Sequence, residues 1–377
     1  MKFNRSSILC TFSLVLLCVA AACVSDPQIG WRAYDRGNFA TAFAQSQRLA
    51  ERGDASAQFL LGLLYSDGKG VQQNHEEAAQ WLRCAAEQGH VMAQADLGLK
   101  YIKGQGVPQD YTEAAQWLRR AAEQGLTVAQ ADLGMMLIKG QGVPRDAVEG
   151  TQWLRRAAEQ GFGVAQCNLG SIYAEGIGVP KDDTEAAKWL CLAADQGLVV
   201  AQRNLGLMYA KGLGVPEDQV EAAKWLRRAA DQGFDTAQAE LGLLYIEGRG
   251  VSQDYAEAAR LLRLAADQGN PVAQSNLGLM YAKGLGMPED DAEAARWLRR
   301  AANQGLAVAQ IKLGAMYEYG HGVPQDDVTA LMWYSLGASQ GNETAARLRN
   351  ALTQKMIPDR IEEAQQRARE WLEIPGH

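Results

Sequence analysis

The chain repeats itself. From Asp54 to Gly341 a 36-residue motif recurs eight times, with no insertion or deletion. Gly62 returns as Gly98, Gly134, Gly170, Gly206, Gly242, Gly278 and Gly314, and the pair Ala57-Gln58 returns every 36 residues as far as Ala309-Gln310. A fixed period in this range restricts a chain to a solenoid, in which each repeat packs only on its neighbours.

Residues 90–125 show what one repeat is built to do. Ala93, Leu97 and Tyr101 fall at i, i+4 and i+8, which predicts a helix over 91–103 with one apolar stripe. Gly98 lies in that stripe. A glycine within a helix costs roughly 1 kcal/mol relative to alanine, so eight in phase imply that a neighbouring helix comes close there. The loop Gly104-Gln105-Gly106-Val107-Pro108 follows, and recurrence of both glycines predicts two positions with positive φ. Val107 is expected to plug the turn. Asp110 stands as an N-cap with Glu113 three residues on. The second helix, about 111–123, carries Ala114, Trp117, Leu118, Ala121 and Ala122 on its apolar stripe, and Gln124-Gly125 ends it. One hairpin cannot cover these stripes, but a stack of hairpins can. Small residues alternate with large ones, so neighbouring helices can interdigitate. Core packing accounts for the aromatic and glycine positions better than a carbohydrate or cofactor cleft does.

The recurring pattern, AQxxLGxxYxxGxGVPxDxxEAAxWLRxAAxQG, resembles the Sel1-like repeat family, a relative of the tetratricopeptide repeats, over residues 54–341. The resemblance implies an all-α, right-handed α-solenoid of stacked helix hairpins. It also implies a scaffold or adaptor for protein–protein contact. Leu137 replaces the tyrosine, Leu261 the tryptophan, and Gln72 and Ser252 the loop proline; none of these departures threatens the fold.

Residues 1–22 read as a targeting segment. Lys2 and Arg5 give a positive start, and Ile8 to Ala22 is a mostly apolar run of 15 residues, short for a membrane span of about 20. Val19-Ala20-Ala21-Ala22-Cys23 resembles the bacterial lipobox. That resemblance implies cleavage before Cys23, a lipid anchor on its thiol and, since Val24 rather than Asp follows, outer-membrane retention facing the periplasm. A soluble periplasmic product of an ordinary signal peptide is the alternative. Residues 23–29 would form a tether. Trp31, Tyr34, Gly37, Phe39, Ala42 and Phe43 match a shorter hairpin without the glycine loop, so 30–53 reads as a degenerate repeat capping the N-terminal end.

The formal net charge of −7 becomes −9 once Lys2 and Arg5 are set aside. Arg-Arg pairs at 119–120, 155–156, 227–228 and 299–300 are offset by nearby acids and read as a solvated helix face whose stems lie over the core. No basic stripe is present, which argues against nucleic acid as a partner. Cys84, Cys167 and Cys191 remain after Cys23, an odd number. Cys167 and Cys191 fall in opposite helices of one repeat, where a bridge is conceivable, although a role as small buried hydrophobes accounts for all three more simply. The family has a cysteine-rich branch with regularly repeated cysteine pairs, which this chain lacks.

Chemistry-bearing motifs are scarce. His75, His90, His321 and His377 have no metal-ligand spacing. No nucleophile elbow or phosphate loop is present, and the glycine loops follow helices rather than strands, unlike a dinucleotide fingerprint. No enzyme activity and no cofactor are expected. What varies between copies is more informative. In tetratricopeptide relatives the matching first-helix positions line a concave groove. One such column reads Leu60, Asp96, Asp132, Asn168, Asn204, Glu240, Asn276 and Lys312. A polar ladder of this kind suits an extended peptide, or simply keeps the groove soluble. Arg203 beside Asn204 resembles part of a carboxylate clamp, but Leu207 stands where the clamp wants Asn. The next column, with Lys103, Lys139, Glu175, Lys211, Glu247 and Lys283, is mixed in sign.

Beyond Gly341, Ala345, Ala346, Leu348 and Leu352 suggest one more first helix over 343–354. Pro358 then starts a charged helix with Ile361, Ala364, Ala368, Trp371 and Leu372 on one side, so 342–377 is expected to cap the far end. The favoured reading is a scaffold binding a protein or peptide in the bacterial envelope. A protein that binds or hydrolyses cell-wall peptides or β-lactams, by analogy with cysteine-rich relatives, is the alternative.

Overall fold

The computed structural model describes residues 28–373, and its ordered elements are all helices. The chain forms two compact units that divide between Gln124 and Gly125. The first contains α1 (Gln28–Asp35), α2 (Phe39–Ala50), α3 (Ala55–Asp67), α4 (His75–Glu87), α5 (Val91–Lys103) and α6 (Tyr111–Glu123). The second contains α7 (Thr127–Lys139), α8 (Ala147–Glu159), α9 (Gly163–Glu175), α10 (Asp183–Asp195), α11 (Val199–Lys211), α12 (Gln219–Asp231), α13 (Asp235–Glu247) and α14 (Tyr255–Asp267). It continues through α15 (Pro271–Lys283), α16 (Asp291–Asn303), α17 (Ala307–Tyr319), α18 (Asp327–Ser339), α19 (Glu343–Thr353) and α20 (Pro358–Glu373). Within each unit, helices pack chiefly on their chain neighbours, as in an α-solenoid of stacked hairpins.

Helix ends fall where the caps place them. Asp110 accepts from the amides of Thr112 and Glu113 at 2.8 and 3.1 Å and so starts α6. Gly104 ends α5 in the left-handed conformation at φ 65°. The stripes of α5 and α6 are buried, with Ala93, Leu97 and Leu118 fully enclosed. Full burial of a leucine contributes about 1.5–3 kcal/mol. Gly98 is the place where α5 meets α6: a Cβ there would lie 2.8 Å from Leu118 Cγ. Gly106 serves two purposes. Its φ is 76°, and a Cβ would lie 1.8 Å from the His75 carbonyl oxygen at the start of α4. The loop therefore seats directly on the preceding repeat. The loop valines pack as expected: Val179 and Val215 border one core cluster and Val323 another.

A polar tie runs beside this apolar packing. Buried Gln94 donates to the Ala86 carbonyl at the end of α4, at 3.1 Å, and accepts from Gln124 at the end of α6, at 2.8 Å. Gln166, Gln202, Gln238, Gln274 and Gln310 donate to the corresponding alanine carbonyls in the second unit. Each pair joins two second-helix ends through one first helix and satisfies carbonyls that a helix terminus leaves open. The invariant Ala-Gln and Gln-Gly dipeptides are two halves of one hydrogen-bonded device.

The ends of the array differ from its middle. Helix α1 already includes Gln28 and Ile29, so the residues expected to close a tether are helical. Trp31, Tyr34, Phe39 and Phe43 pack against Leu60 and Leu64, and Trp31 Nε1 donates to Ser56 Oγ at 3.0 Å. At the other end, Tyr334 fills the place that Leu118 holds in repeat 2, and its hydroxyl donates to Glu318 at 2.8 Å. Burial pushes the Tyr334 phenol well above its usual range, and the Glu318 contact adds to the shift. Trp371 of α20 meets Trp333 edge-on, with ring centres 6.1 Å apart. Asp326 bonds Thr329 at 2.6 Å and also lies within 3.5–3.8 Å of Arg360 and Arg367 on α20.

Candidate partner-binding surface

The column of variable first-helix residues takes the same position, the sixth, on each thirteen-residue first helix. In the first unit this column holds buried Leu60 and half-buried Asp96. In the second it holds Asp132, Asn168, Asn204, Glu240 and Asn276, all half-buried, and exposed Lys312. Half-burial follows from register: each side chain is flanked by the buried stripe on one side and by solvent on the other.

These residues are not equivalent. Arg203 Nε lies 3.0 Å from both oxygens of Glu240 on the next first helix, and Arg203 Nη2 closes a further short contact. Arg203 Nη1 also donates to Asn204 Oδ1 at 3.4 Å. Asn276 donates to the Val272 carbonyl of its own helix at 2.8 Å. These four side chains engage groups of the protein itself. Asp132 and Asn168, on consecutive repeats, have no hydrogen bond or ion pair among the described residues. Burial raises the Asp132 carboxyl above its usual range. Lys312 borders an open cavity of about 340 Å³ with Leu279, Met316, Tyr319 and His321.

Lys100 escapes a search confined to the variable polar columns, because its column is otherwise apolar. It is buried, with 6% of its surface exposed, and donates to Ser66 Oγ at 3.0 Å. Burial lowers its ammonium pKa, while nearby Asp96 works the other way. The signal was present in the sequence as a lone lysine at a position held elsewhere by Leu, Met or Ile.

The arginine pairs do more than solvate a face. In three of the four pairs the first member donates to the tyrosine of the next repeat: Arg155 to Tyr173, Arg227 to Tyr245 and Arg299 to Tyr317. The second stacks on the tryptophan three residues before it: Arg120, Arg156, Arg228 and Arg300 lie 4.2–4.4 Å from the ring centres of Trp117, Trp153, Trp225 and Trp297. Glu149 and Glu185 accept from the indoles of Trp153 and Trp189 at 3.1 Å. Cys84, Cys167 and Cys191 are free thiols, so the conceivable Cys167–Cys191 bridge is not formed. No described group of His, Cys, Asp and Glu is arranged to hold a metal ion, and no described helix is long and apolar enough to cross a membrane. Cys23 lies outside the described residues.

A family model described as the Sel1 repeat matches eight consecutive stretches, from residues 55–90 to residues 307–342. A Sel1 repeat protein from Oxalobacter formigenes, known from its crystal structure, is 35% identical over 89% of this chain and 97% of that one, with a TM-score of 0.65. A protective antigen present in uropathogenic Escherichia coli strains, described as displaying an SLR fold, is 31% identical over 92% of this chain and 83% of its own, with a TM-score of 0.58. No curated protein matches the chain. With the repeat spanning most of its length, the chain belongs to the Sel1 repeat family.

Proposed function

We propose that this protein is a scaffold that binds a protein or extended peptide along the first-helix face of its repeats. Sel1 repeat proteins are generally protein-interaction scaffolds. The observation that carries the reading for this chain is the pair Asp132 and Asn168. These half-buried polar side chains occupy the same position on consecutive repeats and lack partners among the described residues. Partial burial already disfavours the Asp132 charge, and a hydrogen-bonding partner would offset that. An extended strand, which offers an amide and a carbonyl at every residue, would supply partners to both. The test is a pull-down from bacterial envelope extract with wild type and with Asp132→Ala/Asn168→Ala. A partner held by wild type and lost by the double variant supports the reading, whereas a partner held equally by both refutes the assigned face.

The same reading places the protein on the periplasmic side of the outer membrane through a lipid on Cys23, in line with the small residues and apolar run before it. Cys23→Ala is expected to abolish lipid labelling and to move the protein from the membrane to the soluble fraction. Retention of both properties would exclude the anchor.

A further inference from the structure

The tenth position of the first helices is apolar in seven repeats: Leu64, Met136, Ile172, Met208, Leu244, Met280 and Met316 are all buried. Repeat 2 puts Lys100 there, equally buried. A lysine ammonium has three donors. One is used by Ser66 Oγ, and no other hydrogen bond or ion pair involves Lys100 among the described residues. Asp96, one turn earlier on α5, is half-buried and likewise makes neither. Asp67, on α3, is tied at 2.9 Å to Lys69, so that pair is neutral in itself. Lys103 stands exposed at the end of α5. The charges acting on Lys100 are Asp96 and Asp67, which favour its ammonium, and Lys103, which opposes it. A methionine, as in four other repeats, would fill the space without burying donors. Ser66 occupies one ammonium donor and the fold leaves the others open, and a position that breaks the local rule in this way is a candidate functional site.

We propose that Lys100 is a specificity residue that reads one acidic side chain of a bound peptide, whose carboxylate takes up the open ammonium donors between α3 and α5. The proposal rests on the peptide-binding reading above. The partner's Asp or Glu would accept from the ammonium donors that Ser66 leaves open, with Lys103 assisting at the rim. Ser66 keeps the ammonium aimed and acts as a positioning residue.

The test uses random 12-residue peptides displayed on phage, selected in parallel on the wild-type chain, on Lys100→Met and on Lys100→Gln. Wild type is expected to enrich peptides with an acidic residue at one fixed position, and those peptides should bind both variants at least tenfold more weakly. Lys100→Met should melt at a higher temperature than wild type, because it restores the apolar column; a lower melting temperature would assign Lys100 to the fold and overturn the proposal. Selection of peptides with no fixed acidic residue, or variant affinities within twofold of wild type, would also overturn it while leaving the peptide-binding reading in place. Failure of all three chains to select any peptide would overturn that reading as well.

Discussion

Two residue types set the spacing of the stack: glycine where backbones meet, and glutamine where helix ends need closing. Gly106 combines a positive φ with a Cβ direction that runs into the His75 carbonyl. Gly106→Ala should therefore lower stability by about 2 kcal/mol or more, read from urea unfolding of the whole chain; a change within experimental error would show that the loop can move away. Gln94→Ala removes the donor to the Ala86 carbonyl and the acceptor for Gln124. A loss of about 1–3 kcal/mol is expected by the same measurement, since an enclosed carbonyl is left open. The role of Gly98 was legible in the sequence, because eight helical glycines in phase each carry a propensity cost that only a close helix approach offsets. The glutamine tie was not. Gln94 and Gln124 read as register markers and helix stops, and only the packing of α5 on α6 shows that they bond.

At the scale of the helix, local signals were enough for repeat 2. The predicted spans 91–103 and 111–123 agree with α5 and α6 to the residue. Local signals gave less at the N-terminus, where Gln28 and Ile29 sit before any stripe or cap and nevertheless join α1. The docking of α20 invites a test by pH. Burial alone would raise the Asp326 carboxyl, but bonds from Thr329 and the Val328 amide, and the charge of Arg367, hold it below its usual range. A carboxyl depressed in the folded state stabilises above its unfolded pKa, and that contribution is lost as pH falls through the folded value. Acidification from about pH 5 to below pH 3 should therefore loosen α20, seen as a change in tryptophan fluorescence at the Trp333–Trp371 contact. Asp326→Asn should flatten this dependence. An unaltered pH profile in that variant would remove Asp326 from the account.

For the molecule as a whole, one repeat's stripes need the next repeat, so the last one needs a cover. Leu331, Tyr334 and Leu352 share a core cluster with Ala364 of α20. Deleting residues 343–377 should expose that cluster, lower the melting temperature and promote aggregation; a truncated chain as soluble and as stable as the full one would contradict capping. The face proposed for binding was readable as a variable column, but its internal chemistry was not. Arg203 and Glu240 are 37 residues apart and meet only because equivalent positions on stacked helices are neighbours. The central claim, that partners bind along the first-helix face, is tested most directly by site-specific photocrosslinking in living cells. A benzophenone side chain would be placed at residue 168 on α9 in one chain, and at residue 224, an exposed position on the second helix α12, in another. A partner adduct from residue 168 with none from residue 224 is the predicted result; the reverse pattern would contradict the claim.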